Sequence, residues 1–310
     1  MARWVTVASL SFPGGSGKGE ERVASAREEA LKWIDQAAHR KPDLIVLPET
    51  FVALGLSHEE WFRTAEPVPG PTTEALAQKA RQYRTYILCP LVQQEDDRFY
   101  NAAVLLGRRG EVVGIYHKMF PTLNEISMGI TPGHQAVVWE TDFGRVGCAI
   151  CFDLNFREVV EGLAANAVEL VLFPSMYRGG LQTQIWSHDF SVYFVSATPG
   201  EGSVIVNPLG RILGASSHYE RILVRRLNLD CFVGHIDYNH LRWEAIWEKY
   251  GPGIEIEVAS PEAKFLLTSH LPDRTAREIA QEFELLSLQD YFLRARRTRR
   301  EALSPTPKGG

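Results

Sequence analysis

Three residues of this chain, each following an apolar run, could together supply a nucleophile, a base and a cation. The nucleophile is Cys151, in the stretch Gly147-Cys148-Ala149-Ile150-Cys151-Phe152-Asp153-Leu154-Asn155-Phe156-Arg157-Glu158. Val146 to Ile150 predicts a short buried strand, and the pattern after the cysteine predicts a helix. A sulfur at that junction meets backbone N–H groups of a turn and a helix N-terminus, which favour a thiolate and any oxyanion beside it. The base is Glu49, at the end of Leu44-Ile45-Val46-Leu47-Pro48-Glu49. A strand apolar on both faces is a buried central strand, so a glutamate directly after it is held for a purpose. The cation is Lys118, in Tyr116-His117-Lys118. A lone lysine or histidine after a strand is usually superficial, so Lys118 takes its weight from the other two.

In this order, the three stretches resemble the motifs of the nitrilase superfamily of carbon–nitrogen hydrolases. They read PET around Glu49, YHKMF around Lys118 and GCAICFDLNFRE around Cys151, and the resemblance runs from the first strand to about Tyr250. It implies an α/β fold, the four-layer α-β-β-α sandwich of that superfamily. It implies a cysteine-dependent hydrolase of non-peptide carbon–nitrogen bonds working through a thioester. Glu49 would be the general acid/base, Cys151 the nucleophile, and Lys118 with the backbone N–H of Phe152 the oxyanion stabiliser. Glu125, in the loop after Lys118, would position the lysine or the substrate amide. No metal and no cofactor are implied. The expected partners are a small amide-type substrate and further copies of the chain, in a homodimer or a larger even homo-oligomer.

The departures narrow the substrate. Phe152-Asp153 stands where a nitrilase carries Trp-Glu, which favours a primary amide or an N-carbamoyl compound over a nitrile. Asn155 and Arg157 replace a frequent arginine and proline, so aliphatic amides, ω-amides and N-carbamoyl compounds all stay open. The alternatives are a nitrilase, or an acyl transferase or other non-hydrolytic relative on the same fold. A further one is a thiol redox protein using Cys148 and Cys151 as a C-x-x-C pair. That last reading needs a solvent-facing motif, whereas Cys148 falls inside an apolar strand pattern. Cys89 and Cys231 stand apart and read as inert core residues.

Composition agrees with a globular enzyme. The chain has 310 residues, 45% of them hydrophobic and 23% charged, with a formal net charge of -5. That charge gives no global pull towards nucleic acid. No apolar run approaches the roughly 18 residues of a spanning helix, and Trp4 to Leu10 reads as a first strand rather than a signal peptide. No membrane association and a cytoplasmic location are the expectations. Phe12 to Glu20 (FPGGSGKGE) superficially suggests a phosphate loop, but Phe12 and Gly19 stand where that motif needs glycine and a hydroxyl residue.

The elements that must position these residues follow from periodicity. Glu21 to His39 predicts an amphipathic helix, and a second begins near Thr72. Tyr86 to Val92, Tyr100 to Leu106 and Glu111 to Tyr116 read as strands, the last two joined at Gly107-Arg108-Arg109-Gly110. Asn155 with Glu158 is expected to cap the helix after Cys151. Asp43 to Pro48 (DLIVLP) and Glu169 to Pro174 (ELVLFP) share one logic, a buried strand, then proline, then a polar residue. Two similar halves follow, and Ser175, Met176 and Tyr177 should then lie at the same edge as Glu49 and line the pocket. Residues 1–270 are expected to form the hydrolase domain. Residues 271–310 are expected to form a C-terminal extension, one long helix begun by a Thr275–Glu278 capping box and a disordered tail, packing on a partner subunit. Its arginines, Arg294 to Arg300, read as a solvated helix end.

Overall fold

The computed structural model describes residues 2–303, with His58 described by its backbone alone. The segment 304–310, expected to be disordered, lies outside the described residues. In chain order the elements are β1 (Trp4–Leu10), α1 (Gly19–Ala38), β2 (Leu44–Val46), α2 (His58–Arg63), α3 (Pro71–Tyr83), β3 (Tyr86–Glu95), β4 (Arg98–Leu106), β5 (Val112–His117) and α4 (Leu123–Met128). There follow β6 (Val138–Glu140), β7 (Arg145–Cys148), α5 (Arg157–Ala165), β8 (Leu170–Pro174), α6 (Leu181–Phe190), β9 (Tyr193–Ala197), β10 (Val204–Val206), β11 (Ile212–Ala215) and β12 (Ile222–Asn228). The rest are β13 (Cys231–His235), α7 (Trp243–Tyr250), β14 (Ile254–Ala259), β15 (Lys264–Ser269), α8 (Ala276–Glu282) and α9 (Leu288–Leu303). Contacts divide the chain into two compact units, Val5–Leu227 and residues 228–303 with residues 2–4.

The larger unit holds two six-stranded sheets, in the orders β12-β1-β2-β3-β4-β5 and β11-β10-β9-β8-β7-β6. Each is built on the same plan. β1, β2 and β3 run parallel, and β4 and β5 follow antiparallel. Likewise β7, β8 and β9 run parallel, and β10 and β11 follow antiparallel. The two halves expected from DLIVLP and ELVLFP are visible here, because β2 and β8 are the middle strands of the two parallel trios. Every residue of both strands is buried, as a strand covered on both faces requires.

Helices cover the outer faces. Val23, Ala26, Ala30, Ile34 and Ala37 recur at helical spacing along α1 and are buried. They pack with Leu76 and Ala80 of α3 against Ile45, Ile87 and Val104 of the first sheet. Val159 and Leu163 of α5 and Trp186 of α6 pack against Val171, Phe173 and Phe194 of the second. The inner faces meet through small hydroxyl residues: Ser9 Oγ donates to the Ser196 carbonyl at 2.6 Å, and the Ser11 and Ser203 hydroxyls lie 2.6 Å apart. This is the α-β-β-α sandwich.

The smaller unit pairs β13, β15 and β14 antiparallel over a core of Ile246, Ile254, Phe265, Leu267, Ala276 and Ile279. It begins at Asn228, ahead of the boundary expected at residue 270, because β13 to β15 join one another and α8 and α9. The single terminal helix is two. Thr275 and Glu278 do form the capping box of α8. Glu284 then turns left-handed, at φ 53°, and the Leu285 N–H reaches back to the Ala280 carbonyl, closing that helix before α9. Among the described residues no helix is long and apolar enough to cross a membrane.

Leu163 is fully buried, and its Cδ2 lies 2.7 Å from where a side chain on Gly147 of β7 would begin. Leu163→Ala should therefore cost about 2–5 kcal/mol, read as a lower urea midpoint. A loss below about 0.5 kcal/mol would contradict the packing of α5 on the second sheet.

Candidate active site

The expected residues sit at strand ends. Glu49 follows β2, Lys118 follows β5, Cys151 follows β7, and Ser175 to Tyr177 follow β8. Two tight turns present them. Thr50, beside Glu49, has φ 39°, and Cys151 itself has φ 48°, a left-handed conformation that costs a side-chain-bearing residue energy. Cys151 opens a short 3₁₀ turn to Asn155, so the Phe152 N–H lies among the first amides of a turn, which have no partner within it. Asn155 does not cap α5 as expected. Phe156 occupies the cap position, and Asn155 Nδ2 closes the 3₁₀ turn onto the Phe152 carbonyl.

Four polar side chains converge out of solvent. Lys118 is 1% exposed, Glu49 2%, Glu125 4% and Asn101 0%. Lys118 Nζ donates to Glu49 Oε1 at 2.9 Å and to Glu125 Oε2 at 2.9 Å. Glu49 Oε2 accepts the Met176 N–H at 2.9 Å. Glu125 reaches the site through the N-terminus of α4, where Thr122 Oγ1 accepts its N–H and Glu125 Oε2 accepts the Thr122 N–H. Asn101 of β4, which motif reading did not single out, donates from Nδ2 to Glu49 Oε1 and to Glu125 Oε1, both at 2.8 Å. One signal could have found it. Folding the hairpin at Gly107–Gly110 pairs Ala102 with His117, which sets Asn101 beside Lys118.

The electrostatics follow from burial. Burial alone would lower Lys118, but Glu49 and Glu125 outweigh it and hold the ammonium above its ordinary range. Burial and then Glu49 push the Cys151 thiol up to about 12, against Lys118, the Met176 N–H and the Ser175 side chain. This corrects the expectation of a favoured thiolate, since at neutral pH Cys151 is a thiol and needs a base to act. Partial covering of its ring and hydroxyl, and then the same sulfur, raise Tyr177 to about 12. Met176 and Tyr177 are exposed and Ser175 is buried, so the former two form a rim.

A second network braces the first. Asp153, fully buried, accepts from the Ile150 N–H, the Phe120 N–H and Tyr116 Oη, each at 2.8 Å. It thereby ties the turn that carries Cys151 to the segment that carries Lys118, while burial raises its own carboxyl to about 7. Cys148 is fully buried in β7 and its thiol is pushed well above the ordinary range, which suits packing and not a solvent-facing redox pair. Cys89 is buried too, whereas Cys231 is only half-buried. Among the described residues no group of three or more His, Cys, Asp or Glu could hold a metal ion.

The family model for carbon-nitrogen hydrolases matches residues 17–231, well over half of the chain. The chain belongs to that family. The carbon-nitrogen hydrolase match ends close to Leu227, where the larger unit ends. Among curated relatives, the omega-amidase NIT2 of Homo sapiens is 25% identical over 228 residues, covering 64% of this chain and 82% of that protein. Among solved structures, Nit3 of Saccharomyces cerevisiae, a member of branch 10 of the nitrilase superfamily, superposes with a TM-score of 0.60 at 20% identity, covering 73% of this chain and 90% of the other. A mutant of the amidase from Nesterenkonia sp. AN1, whose active-site cysteine carries the covalently added acetamide moiety of fluoroacetamide, gives 0.58 at 19% identity, covering 72% and 89%. These likenesses place this carbon-nitrogen hydrolase in the nitrilase superfamily.

Burial alone would raise the Glu125 carboxyl; Lys118, the Thr122 N–H and Asn101 outweigh it and hold the carboxyl low. Stability from a lowered carboxyl is present above its unfolded value and lost as pH falls through its folded one. Acidification should accordingly remove this contribution from wild type, while Asp153, raised to about 7, acts in the opposite sense in wild type and variant alike. Lys118→Met should lose about 3–5 kcal/mol near neutrality, because two buried carboxylates are left without their cation. Its further loss on acidification should be smaller than that of wild type, since protonation then relieves them. Urea midpoints at neutral and acid pH check this, and equal acid losses in both proteins would contradict the pairing.

Proposed function

We propose that this carbon-nitrogen hydrolase is an amidase that cleaves a small primary amide or an N-carbamoyl compound through a thioester on Cys151. The observation that carries the reading is one buried lysine held by two carboxylates, with the raised thiol of Cys151 under the influence of both Lys118 and Glu49. The omega-amidase and amidase names of the relatives agree with it.

A thiol pushed up to about 12 needs a base to take its proton. Glu49 takes the Sγ–H proton as sulfur attacks the carbonyl carbon, so the thiolate exists only as it reacts. The charge that develops on the carbonyl oxygen falls to Lys118 Nζ and the Phe152 N–H. Glu49 returns its proton to the nitrogen, the C–N bond breaks and ammonia leaves, with the acyl group bound to sulfur. Glu49, again a carboxylate, takes a proton from water as the hydroxyl adds to the thioester. Collapse of that adduct releases the acid, and the proton goes back to sulfur. Glu125 holds Lys118 in position and Met176 to Tyr177 border the acyl group. A dimer or larger even assembly of this chain is part of the same proposal.

The test is ammonia release from a panel of amides, N-carbamoyl compounds and nitriles beside Cys151→Ala and Lys118→Ala. Release from an amide or N-carbamoyl member should vanish in Cys151→Ala and fall by about 10²–10³ in kcat in Lys118→Ala. Release confined to nitriles would replace the amidase with a nitrilase. Acyl transfer to an added amine without ammonia-linked hydrolysis would replace it with a transferase, and undiminished release by Cys151→Ala would end the cysteine mechanism.

A further inference from the structure

We propose that Asn101 is a positioning residue for this reaction: its side-chain amide holds Glu49 and Glu125 together on Lys118 and so keeps Glu49 in the state that can take the Cys151 proton. The proposal rests on the reading of Glu49 as the base. The geometry poses a problem that Asn101 answers. Two carboxylates share one ammonium out of contact with solvent, so the trio carries an excess negative charge. Like charges in one site drive a proton onto one of them unless further donors favour the ionised pair.

The donors can be traced atom by atom. Glu49 Oε2 takes the Met176 N–H, and Glu125 Oε2 takes Lys118 Nζ and the Thr122 N–H. The facing oxygens, Glu49 Oε1 and Glu125 Oε1, are where repulsion concentrates, and both accept from Asn101 Nδ2 as well as from Lys118 Nζ. The two N–H bonds of one amide thus go to two different carboxylates and add no charge. Aspartate would add a third negative group, serine would supply one donor, and leucine none.

The other half of the amide points to the same use. Asn101 Oδ1 is buried and accepts from no protein group among the described residues. An unpaired buried acceptor is a standing cost, so the side chain contributes through its donors alone. The Asn101 carbonyl also accepts the Lys118 N–H at 2.9 Å, but that contact is backbone and survives any substitution. Changing the side chain therefore isolates the amide.

The experiment uses Asn101→Leu and Asn101→Ser in the full chain. Folded protein is verified by circular dichroism, and two readouts are taken across the acid limb. The first is kcat and KM on the best amide of the panel. The second is the rate at which iodoacetamide alkylates Cys151, located by peptide mass, which needs no substrate. In Asn101→Leu, kcat should fall about 10- to 100-fold with KM little changed. The acid limb of both profiles should move to higher pH by about one unit, with Asn101→Ser in between. If wild type releases no ammonia from any amide, the hydrolase reading fails, yet the alkylation profile still decides the role of Asn101. Wild-type limbs in folded Asn101→Leu and Asn101→Ser, or failure of both variants to fold, would assign the residue to structure and overturn the proposal.

Discussion

Everything at the centre of this protein depends on one ammonium group between two carboxylates in a dry place. Lys118 at 2.9 Å from both Glu49 and Glu125 satisfies charges that would otherwise be costly to bury. Remove the cation and the carboxylates repel. Remove both carboxylates and a buried lysine is left without a counter-charge. A buried ion cluster is poor evidence for stability, because apolar residues of similar volume often serve a fold as well. Its value is functional: groups held in water's absence act on one another far more strongly than they would at the surface.

The duplicated architecture makes such a place available. Each half carries a parallel trio followed by two antiparallel strands, and β2 and β8 stand in the middle of the trios. The segments after these strands, with Glu49 in one half and Ser175–Met176 in the other, are joined where the Met176 N–H donates to Glu49. Cys151 arrives from β7, next to β8, and Lys118 from β5. Asp153, held in the Cys151 turn by the Ile150 N–H, then fastens that turn to the Lys118 segment with two hydrogen bonds, from the Phe120 N–H and Tyr116 Oη. Fold and chemistry are thus joined at the level of single side chains.

Strand ends are legible in a sequence because a strand buried on both faces leaves a continuous apolar run, and the residue after it stands out. Glu49, Cys151 and the Ser175–Tyr177 segment are of this kind, and the likeness of DLIVLP to ELVLFP carries the two-half plan. Burial itself is not legible, which is why Cys151 reads as a favoured thiolate although desolvation and Glu49 make it a resting thiol. Asn101 escapes for a related reason. A polar residue at the start of an apolar strand looks like an edge, and only the β4–β5 register sets it against Lys118. The strands β14 and β15 escape because their turn, Ser260 to Ala263, lacks the glycine that marks a hairpin, although Ile254, Ile256 and Val258 alternate with glutamates. The break between α8 and α9 is hidden by Glu284, which takes a left-handed conformation where glycine is the usual signal.

The central claim is that the acyl group passes through the sulfur of Cys151. The direct measurement is a rapid acid quench during turnover of an amide, followed by peptide mass mapping. The account predicts the acyl mass on the peptide that carries Cys151, sensitive to hydroxylamine as a thioester is, and none on Cys89, Cys148 or Cys231. Turnover with Cys151 unmodified at every quench time, under conditions where release of the acid is slower than release of ammonia, would contradict it.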